Sequence, residues 1–179
     1  MKIALISGSL RRDSYNTSLL RTLESMLPEG VEALWIDIDL PLYNFDIDTP
    51  ELLPEKAAKL REQLREADGV VVCTPEYNYA IPGTVKNTID WASRPPGEGV
   101  WGGKRVAVIG ASPGFTGTAR GQHMTKTCFL MAGACLYTQS EVLVGSAHTR
   151  INEQHQLTDE ATLEVLKKFT AKFLDFVRN

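Results

Sequence analysis

Two periods of apolar residues alternate along the chain, and together they predict a parallel sheet flanked by helices. Some runs are apolar at nearly every position, which is typical of central parallel strands that are buried on both faces. Between them, apolar residues recur at helical spacing, as in Leu19, Leu23 and Leu27. This order favours an α/β fold. The predicted strands are Lys2–Ser7, Glu32–Ile36, Gly69–Thr74, Arg105–Gly110, and a last strand in two pieces, Cys135–Tyr137 and Glu141–Val144.

Helix boundaries and loop lengths add detail to this α/β pattern. Pro82 is expected at the first position of the third helix, where proline is favoured, and Thr158 is expected to cap the last helix. The connections 37–53 and 93–104 are long for a compact domain, and such loops are usually functional or interfacial. The first connection carries Leu42, Tyr43 and Phe45, which are expected to be exposed and to need cover from another subunit.

Composition narrows the function classes. The 179 residues, 43% hydrophobic and 23% charged, predict one globular domain over 1–179. The net charge of −3 does not favour a nucleic-acid or membrane partner. The start of the chain does not resemble a signal peptide, so a cytoplasmic location is expected. The cysteines Cys73, Cys128 and Cys135 are predicted to be small buried residues, and no metal site is predicted.

A polar loop between the first strand and the first helix predicts an anion site. Backbone N–H groups at a helix start and the partial charge of the helix both favour a phosphate. Ser9, Ser14 and Thr17 supply hydroxyl groups, and Arg11 can form a bidentate pair with phosphate. Asn16 can either cap the helix or bind the anion.

Three common phosphate-binding motifs are missing from this loop. It has no G-x-G-x-x-G fingerprint, no Gly-Lys followed by Ser or Thr, and no cysteine that a phosphatase would use as nucleophile.

The three histidines do not have the spacing of metal ligands. They are predicted to be surface or structural residues: His123, His148 and His155.

The loops after the third and fourth predicted strands are also unusual. The first of these holds two prolines, two tyrosines and Asn78 within ten residues, which suits a flat heteroaromatic ring. The second, 111–122, is rich in glycine, which allows close backbone approach to a ligand. Ligands bind open parallel sheets beyond the carboxyl ends of the strands. A phosphate site beside two ring-contacting loops predicts a mononucleotide with a large planar ring, and FMN is the simplest candidate.

Three segments, 8–16, 75–79 and 82–91, closely resemble the NADPH-dependent FMN reductase family, and within it the bacterial quinone and chromate reductases. The resemblance implies a flavodoxin-like, doubly wound, five-stranded parallel sheet in the order 2-1-3-4-5 with helices on both faces. It also implies a homodimer or homotetramer, with the ring site near a subunit interface to which the loop around Leu40–Asp46 contributes.

The resemblance implies a set of FMN-binding residues. The phosphate is expected at the first loop and the ring between the other two. The residues are Ser9, Arg11, Ser14, Asn16 and Thr17 for the phosphate, Pro75, Glu76, Tyr77 and Asn78 on one side of the ring, and Ser112, Gly114 and Gly117 on the other. Relatives often carry consecutive glycines where this chain has Gly117 and Thr118, so Thr118 is expected to narrow the nicotinamide or acceptor space.

The leading hypothesis is a ping-pong oxidoreductase with bound FMN and with NADPH or NADH as co-substrate. The acceptor is a small molecule: a quinone, a free flavin, an azo compound or a metal oxyanion. No catalytic side chain is predicted, since the cofactor carries the chemistry. Arg12, Arg94 and Arg120 are candidates for a nicotinamide 2′-phosphate. The alternatives are a flavodoxin-type electron carrier with a protein partner, which the mild charge does not favour, and a phosphate binder without flavin.

Overall fold

The sheet is the organising element of the fold, and the computed structural model describes it with all residues from 1 to 179. Its strands are β1 (Lys2–Ser7), β2 (Glu32–Trp35), β3 (Gly69–Cys73), β4 (Arg105–Ala111), β5 (Cys135–Leu136) and β6 (Leu143–Val144). All pairings are parallel and the order is β2-β1-β3-β4-β5, with β6 also paired to β4. The predicted order is confirmed, and so is a last strand in two pieces.

Five helices cover the two faces of this sheet. They are α1 (Tyr15–Ser25), α2 (Glu55–Glu66), α3 (Gly83–Ala92), α4 (Ala119–Met131) and α5 (Glu160–Arg178). One buried cluster joins the sheet to α1 and α5, and a second joins it to α2, α3 and α4. Ile3 and Leu5 belong to the first cluster, whereas Ala4 and Ile6 belong to the second. Both faces of β1 are therefore buried, which explains its continuous apolar run.

Two predicted helix starts differ from the structure by one residue. The N-cap of α5 is Asp159, whose side chain accepts a hydrogen bond of 2.9 Å from the Thr162 N–H, so the prediction of Thr158 is wrong. The Thr158 hydroxyl instead donates to the Arg150 carbonyl. Pro82 has extended backbone angles and immediately precedes α3 rather than occupying its first turn. Threonine and aspartate both cap helices well, so only backbone geometry separates positions 158 and 159.

The cysteines differ in burial. Cys73 is fully buried in the centre of the sheet, as predicted, and burial raises its pKa well above the usual value. Cys128 is half-buried and Cys135 is exposed at the start of β5. The prediction of a buried residue is therefore wrong for Cys135, because β5 has only two residues and lies at the sheet edge.

The long 37–53 connection is anchored by buried polar contacts. Asp48 and Arg61 form a bidentate ion pair at 2.8 and 2.7 Å, and both side chains are almost fully buried. Leu42 and Phe45 are exposed, as predicted. Tyr43 is half-buried, with its ring edge-on to Trp91 at 5.0 Å between centroids, so the prediction of an exposed tyrosine is wrong. None of the helices combines the length and the apolar character needed to cross a membrane.

Candidate functional site

Three loops meet beyond the carboxyl ends of β1, β3 and β4 and form a cleft of about 340 Å³, called here the three-loop cleft. Open parallel sheets bind their ligands at this edge. Eight of the twelve predicted cofactor-binding residues line it: Ser9, Arg11, Ser14, Asn16, Pro75, Glu76, Tyr77 and Ser112. Thr17, Asn78, Gly114 and Gly117 do not line it, whereas Tyr15, Ala111 and Pro113 do, although sequence reasoning did not select them.

The first loop presents a helix start to the cleft. Ser14 is the N-cap of α1, and its buried hydroxyl accepts long hydrogen bonds of 3.2 and 3.4 Å from the N–H groups of Asn16 and Thr17. Ser9 accepts from the Arg11 N–H at 3.2 Å. The N–H groups at this helix start and the positive end of the helix dipole together favour an anion.

Arg11 adds a full positive charge beside this helix start. Its guanidinium lies 5.3 Å from the centroid of the Tyr15 ring and donates a hydrogen bond to the Asp13 carbonyl. The Asp13 carboxylate in turn lies 3.1 Å from Nε2 of His155, so the first loop contacts a segment that is distant in sequence. The position of Tyr15 directly after the N-cap was the sequence signal that could have identified it as a lining residue.

Asn16 and Thr17 have side chains engaged elsewhere. The Asn16 amide nitrogen donates to the Ala111 carbonyl at 3.0 Å, and its oxygen accepts from the Ala111 N–H at 2.9 Å and from the Cys73 thiol at 3.2 Å. The Thr17 hydroxyl lies 2.7 Å from that of Ser7. Both side chains therefore connect α1 to the sheet. The parts of Asn16 and Thr17 that could contact an anion are their backbone N–H groups at the start of α1.

The second loop lies against the first. A Cβ added to Gly8 would lie 2.8 Å from Pro75 Cδ and 2.7 Å from Val85 Cγ2, so only glycine allows this approach. The hydroxyl of the half-exposed Tyr77 lies 3.4 Å from that of Ser9. The first and second loops of the cleft are thus in direct contact.

A tight turn follows Tyr77. The backbones of Tyr77 and Ala80 exchange two hydrogen bonds of 3.2 and 3.0 Å. The two residues between them, Asn78 and Tyr79, have φ values of +49° and +68°. Positive φ at both central residues is the pattern of a type I′ turn, which favours asparagine at the first position but rarely takes tyrosine at the second.

Glu76 turns away from the other lining residues and towards the start of α4. Its carboxylate accepts hydrogen bonds of 2.9 Å from the N–H groups of Arg120 and Gly121 and of 2.8 Å from the Arg120 guanidinium. Burial alone would raise the pKa of Glu76, but these donors more than offset it, so the pKa lies below its usual value. Glu76 is therefore a carboxylate at neutral pH.

The third loop closes the other side of the cleft with Ser112 and Pro113. The Ser112 hydroxyl accepts from the Gly114 N–H at 3.1 Å. Gly117 has a φ of +63° and packs on the backbone of β6, so its role is conformational. These contacts hold the conformation of the third loop.

Thr118 does not face the cleft. Its side chain is fully buried, accepts a hydrogen bond of 3.0 Å from the Gln122 amide and packs over Gly110. The prediction that Thr118 narrows the nicotinamide or acceptor space is wrong. The sequence shows an added side chain here but not the direction in which it points.

Known reductases match this chain both in sequence and in structure. The model of the family described as NADPH-dependent FMN reductase matches residues 1–149. A 2-hydroxy-1,4-benzoquinone reductase of Burkholderia is 41% identical over 100% of this chain and 97% of its own. An Escherichia coli quinone reductase is 35% identical over 99% and 96%. The structure of FerB, an NAD(P)H:(acceptor) oxidoreductase of Paracoccus denitrificans, superimposes with a TM-score of 0.91 at 36% identity, covering 99% and 97%.

The family match covers most of the chain, including all three loops of the cleft, and the relatives match over nearly their whole length. The sheet order and the meeting of three loops beyond the carboxyl ends of β1, β3 and β4 agree with it. The chain belongs to the NADPH-dependent FMN reductase family.

Proposed function

We propose that this protein is an FMN-dependent NAD(P)H oxidoreductase whose acceptor is a quinone. The observation that carries the proposal is the continuity of the three-loop cleft, in which an anion site at the start of α1 opens directly onto the Tyr77 and Ser112 walls. A phosphate with a planar ring attached matches both ends of this cleft.

The residues of the cleft fit FMN. The N–H groups at the α1 start, the hydroxyls of Ser9 and Ser14 and the Arg11 guanidinium would hold the phosphate. Pro75 and Tyr77 on one side and Ser112 on the other would enclose the ring. When bound, FMN supplies the chemistry of accepting a hydride from a reduced nicotinamide and passing electrons to an acceptor.

The protein's part in the reaction is to hold and expose the cofactor. Pro75 is buried and stiffens the wall, while Tyr77 is half-exposed and leaves the rim of the cleft open to a second planar molecule. A donor and an acceptor can therefore use the same open face in turn, which requires ping-pong kinetics.

The choice of a quinone rests on two relatives. The Burkholderia protein is named for reduction of a hydroxylated benzoquinone and the Escherichia coli protein for reduction of quinones. A flavodoxin-type carrier is not favoured, because the net charge of −3 gives little to steer an electron-transfer partner. Free flavins, azo compounds and metal oxyanions serve as comparison acceptors in a steady-state test.

The nicotinamide preference depends on which arginine is available. Arg120 is committed to Glu76, which removes it as the first choice for a 2′-phosphate. Arg12 and Arg94 take part in no ion pair, so they are the remaining candidates. We expect Arg12→Ala or Arg94→Ala to raise the KM for NADPH more than that for NADH.

A homodimer or homotetramer is part of the proposal. An open groove of about 650 Å³ lies between α3, α4 and the 93–104 loop, with Ile89, Trp101 and Met131 among its lining residues. Leu130 and Met131 are exposed beside it, and Leu42 and Phe45 are exposed on the anchored 37–53 loop. Apolar side chains in such number favour cover by a second copy. The cytoplasmic location stays a prediction.

The test is a steady-state assay of the FMN-loaded protein. NADPH and NADH are each varied at several fixed concentrations of benzoquinone, free FMN, an azo dye and chromate. We expect parallel double-reciprocal lines and the highest kcat/KM with the quinone. Nicotinamide oxidation no faster than the reaction without enzyme would instead support an electron carrier, and a protein that takes up no FMN would overturn the proposal.

A further inference from the structure

We propose that the Glu76 carboxylate is a positioning group and does not itself bind the cofactor. Through Arg120, its carboxylate holds the turn from Tyr77 to Ala80 in the conformation that the ring-binding wall needs. The inference deepens the proposed function and rests on it, because it assigns a role to a residue that the family resemblance placed against the ring.

The Glu76 carboxylate has its hydrogen-bonding capacity used by one neighbouring segment. Oε2 accepts from the backbone N–H groups of Arg120 and Gly121, both at 2.9 Å. Oε1 lies 2.8 and 2.7 Å from Nε and Nη2 of the Arg120 guanidinium. The side chain is only 8% exposed. A carboxylate bound in this way links the second loop to the start of α4.

Arg120 carries this link back to the second loop. Its guanidinium lies over the Tyr79 ring, 3.7 Å from the centroid, and also donates to the Thr116 hydroxyl at 3.2 Å. This places the cation within the range of a cation–π contact. The three residues Glu76, Arg120 and Tyr79, called here the loop clamp, therefore connect the walls on the two sides of the ring site.

The turn needs such support. Tyr79 has a φ of +68°, which is disfavoured for an aromatic residue, and Asn78 beside it has a φ of +49°. Backbones in these conformations persist only where the surroundings hold them. Tyr79 itself is mostly exposed, and the Arg120 guanidinium lies over its ring.

The same turn sets the position of Tyr77. The two Tyr77–Ala80 hydrogen bonds close the turn, and the Tyr77 hydroxyl reaches the Ser9 hydroxyl of the first loop at 3.4 Å. Loss of the clamp would release Tyr77 without disturbing Ser14 or the start of α1. Small displacements of a site wall reduce reaction rates more than they reduce binding.

The first experiment measures the turn in the protein without FMN. Amide hydrogen exchange at Tyr77 and Ala80 is compared between wild type, Glu76→Gln and Arg120→Ala. Loss of a charge-assisted hydrogen bond predicts exchange about tenfold faster in both variants. The matched control is Lys126→Ala, which removes a cation of the same helix whose partner is Glu141. It should leave both amides unchanged.

A double variant distinguishes loss of the clamp from general unfolding of the protein. Tyr79→Gly in the Arg120→Ala background puts glycine where φ is positive, so the turn no longer needs the stacked guanidinium. We expect this double variant to regain most of the protection lost in Arg120→Ala. Unchanged exchange in Glu76→Gln and Arg120→Ala, or no recovery in the double variant, would overturn the inference.

The second experiment separates positioning from cofactor binding. With the clamp broken, we expect the Kd for FMN to change by less than about threefold, since the phosphate cradle is intact. The visible circular dichroism of the bound flavin should fall, and kcat/KM for the quinone should fall about tenfold or more. A Kd that rises by the same factor as kcat/KM falls would make Glu76 a ligand. A wild type without reductase activity would refute the proposed function, while the exchange data would still decide the clamp.

Discussion

Arg11 is the most direct probe of the proposed phosphate site, and we predict that Arg11→Ala weakens FMN binding about 2- to 30-fold. A hydrogen bond between a guanidinium and a phosphate contributes about 1.5–3 kcal/mol. In the structure, Arg11 donates a hydrogen bond to the Asp13 carbonyl and lies over the Tyr15 ring. To bind the phosphate, Arg11 must give up part of these contacts. Subtracting about 1 kcal/mol for that contact leaves about 0.5–2 kcal/mol.

The assay is quenching of flavin fluorescence as the protein without FMN is titrated with it, at fixed ionic strength. Arg12→Ala is the matched control, since it removes the same charge from the next residue, which forms no ion pair. A unit charge held about 10 Å away in water interacts by about 0.4 kcal/mol, and salt reduces this further. Arg12→Ala should therefore change the Kd by less than about twofold.

Equal effects of the two variants would mean that Arg11 acts only through its general charge. An unchanged Kd for Arg11→Ala would refute its place in the cradle. Raising the salt concentration gives a further check, because the difference between the two variants should persist if Arg11 makes a direct contact.

Three further predictions test other parts of the structure. Asp48→Ala leaves the buried Arg61 unpaired and should lower the free energy of unfolding, measured in urea, by about 3–5 kcal/mol. Asp90→Ala breaks an exposed ion pair and should lower it by less than about 1 kcal/mol, so equal losses in the two variants would contradict this prediction. Thr118→Gly should lower the melting temperature but not the KM of either substrate, since Thr118 is buried, and a lower KM would restore its predicted role in the substrate space. Glu76 has a lowered pKa in the folded state, so its contribution to stability is complete above the ordinary pKa of 4.5 and is lost as the pH falls through the lower folded pKa. A stability difference between wild type and Glu76→Gln that stays constant from pH 7 to 3 would refute the hydrogen bonds of the Glu76 carboxylate to the start of α4.

The fold could be predicted because its signals are local. The run of β1 is apolar at consecutive positions, and between segments of helical period such a run indicates a strand buried on both faces. The presence of Ser9 and Ser14 in one cleft could be predicted for the same reason, since both residues and the start of α1 are close in sequence.

The roles of single side chains in the site depend on partners that are distant in sequence. Asn16 bonds to Ala111, and Glu76 bonds to the start of α4, so in each case the side chain of a polar loop residue has a partner that is distant in sequence. Thr118 points into the space over Gly110, which only the packed sheet defines. Sequence patterns locate a loop at a site, but they do not give the direction of each side chain.

The central claim is that three loops form one FMN site, and a crystal structure of the FMN complex tests it most directly. We predict the phosphate within hydrogen-bond distance of Ser9, Arg11 and the N–H groups at the start of α1. We predict the ring between the Pro75–Tyr77 segment and Ser112, with the Glu76 carboxylate still bonded to Arg120. A phosphate bound elsewhere, or a ring outside the three-loop cleft, would contradict the claim.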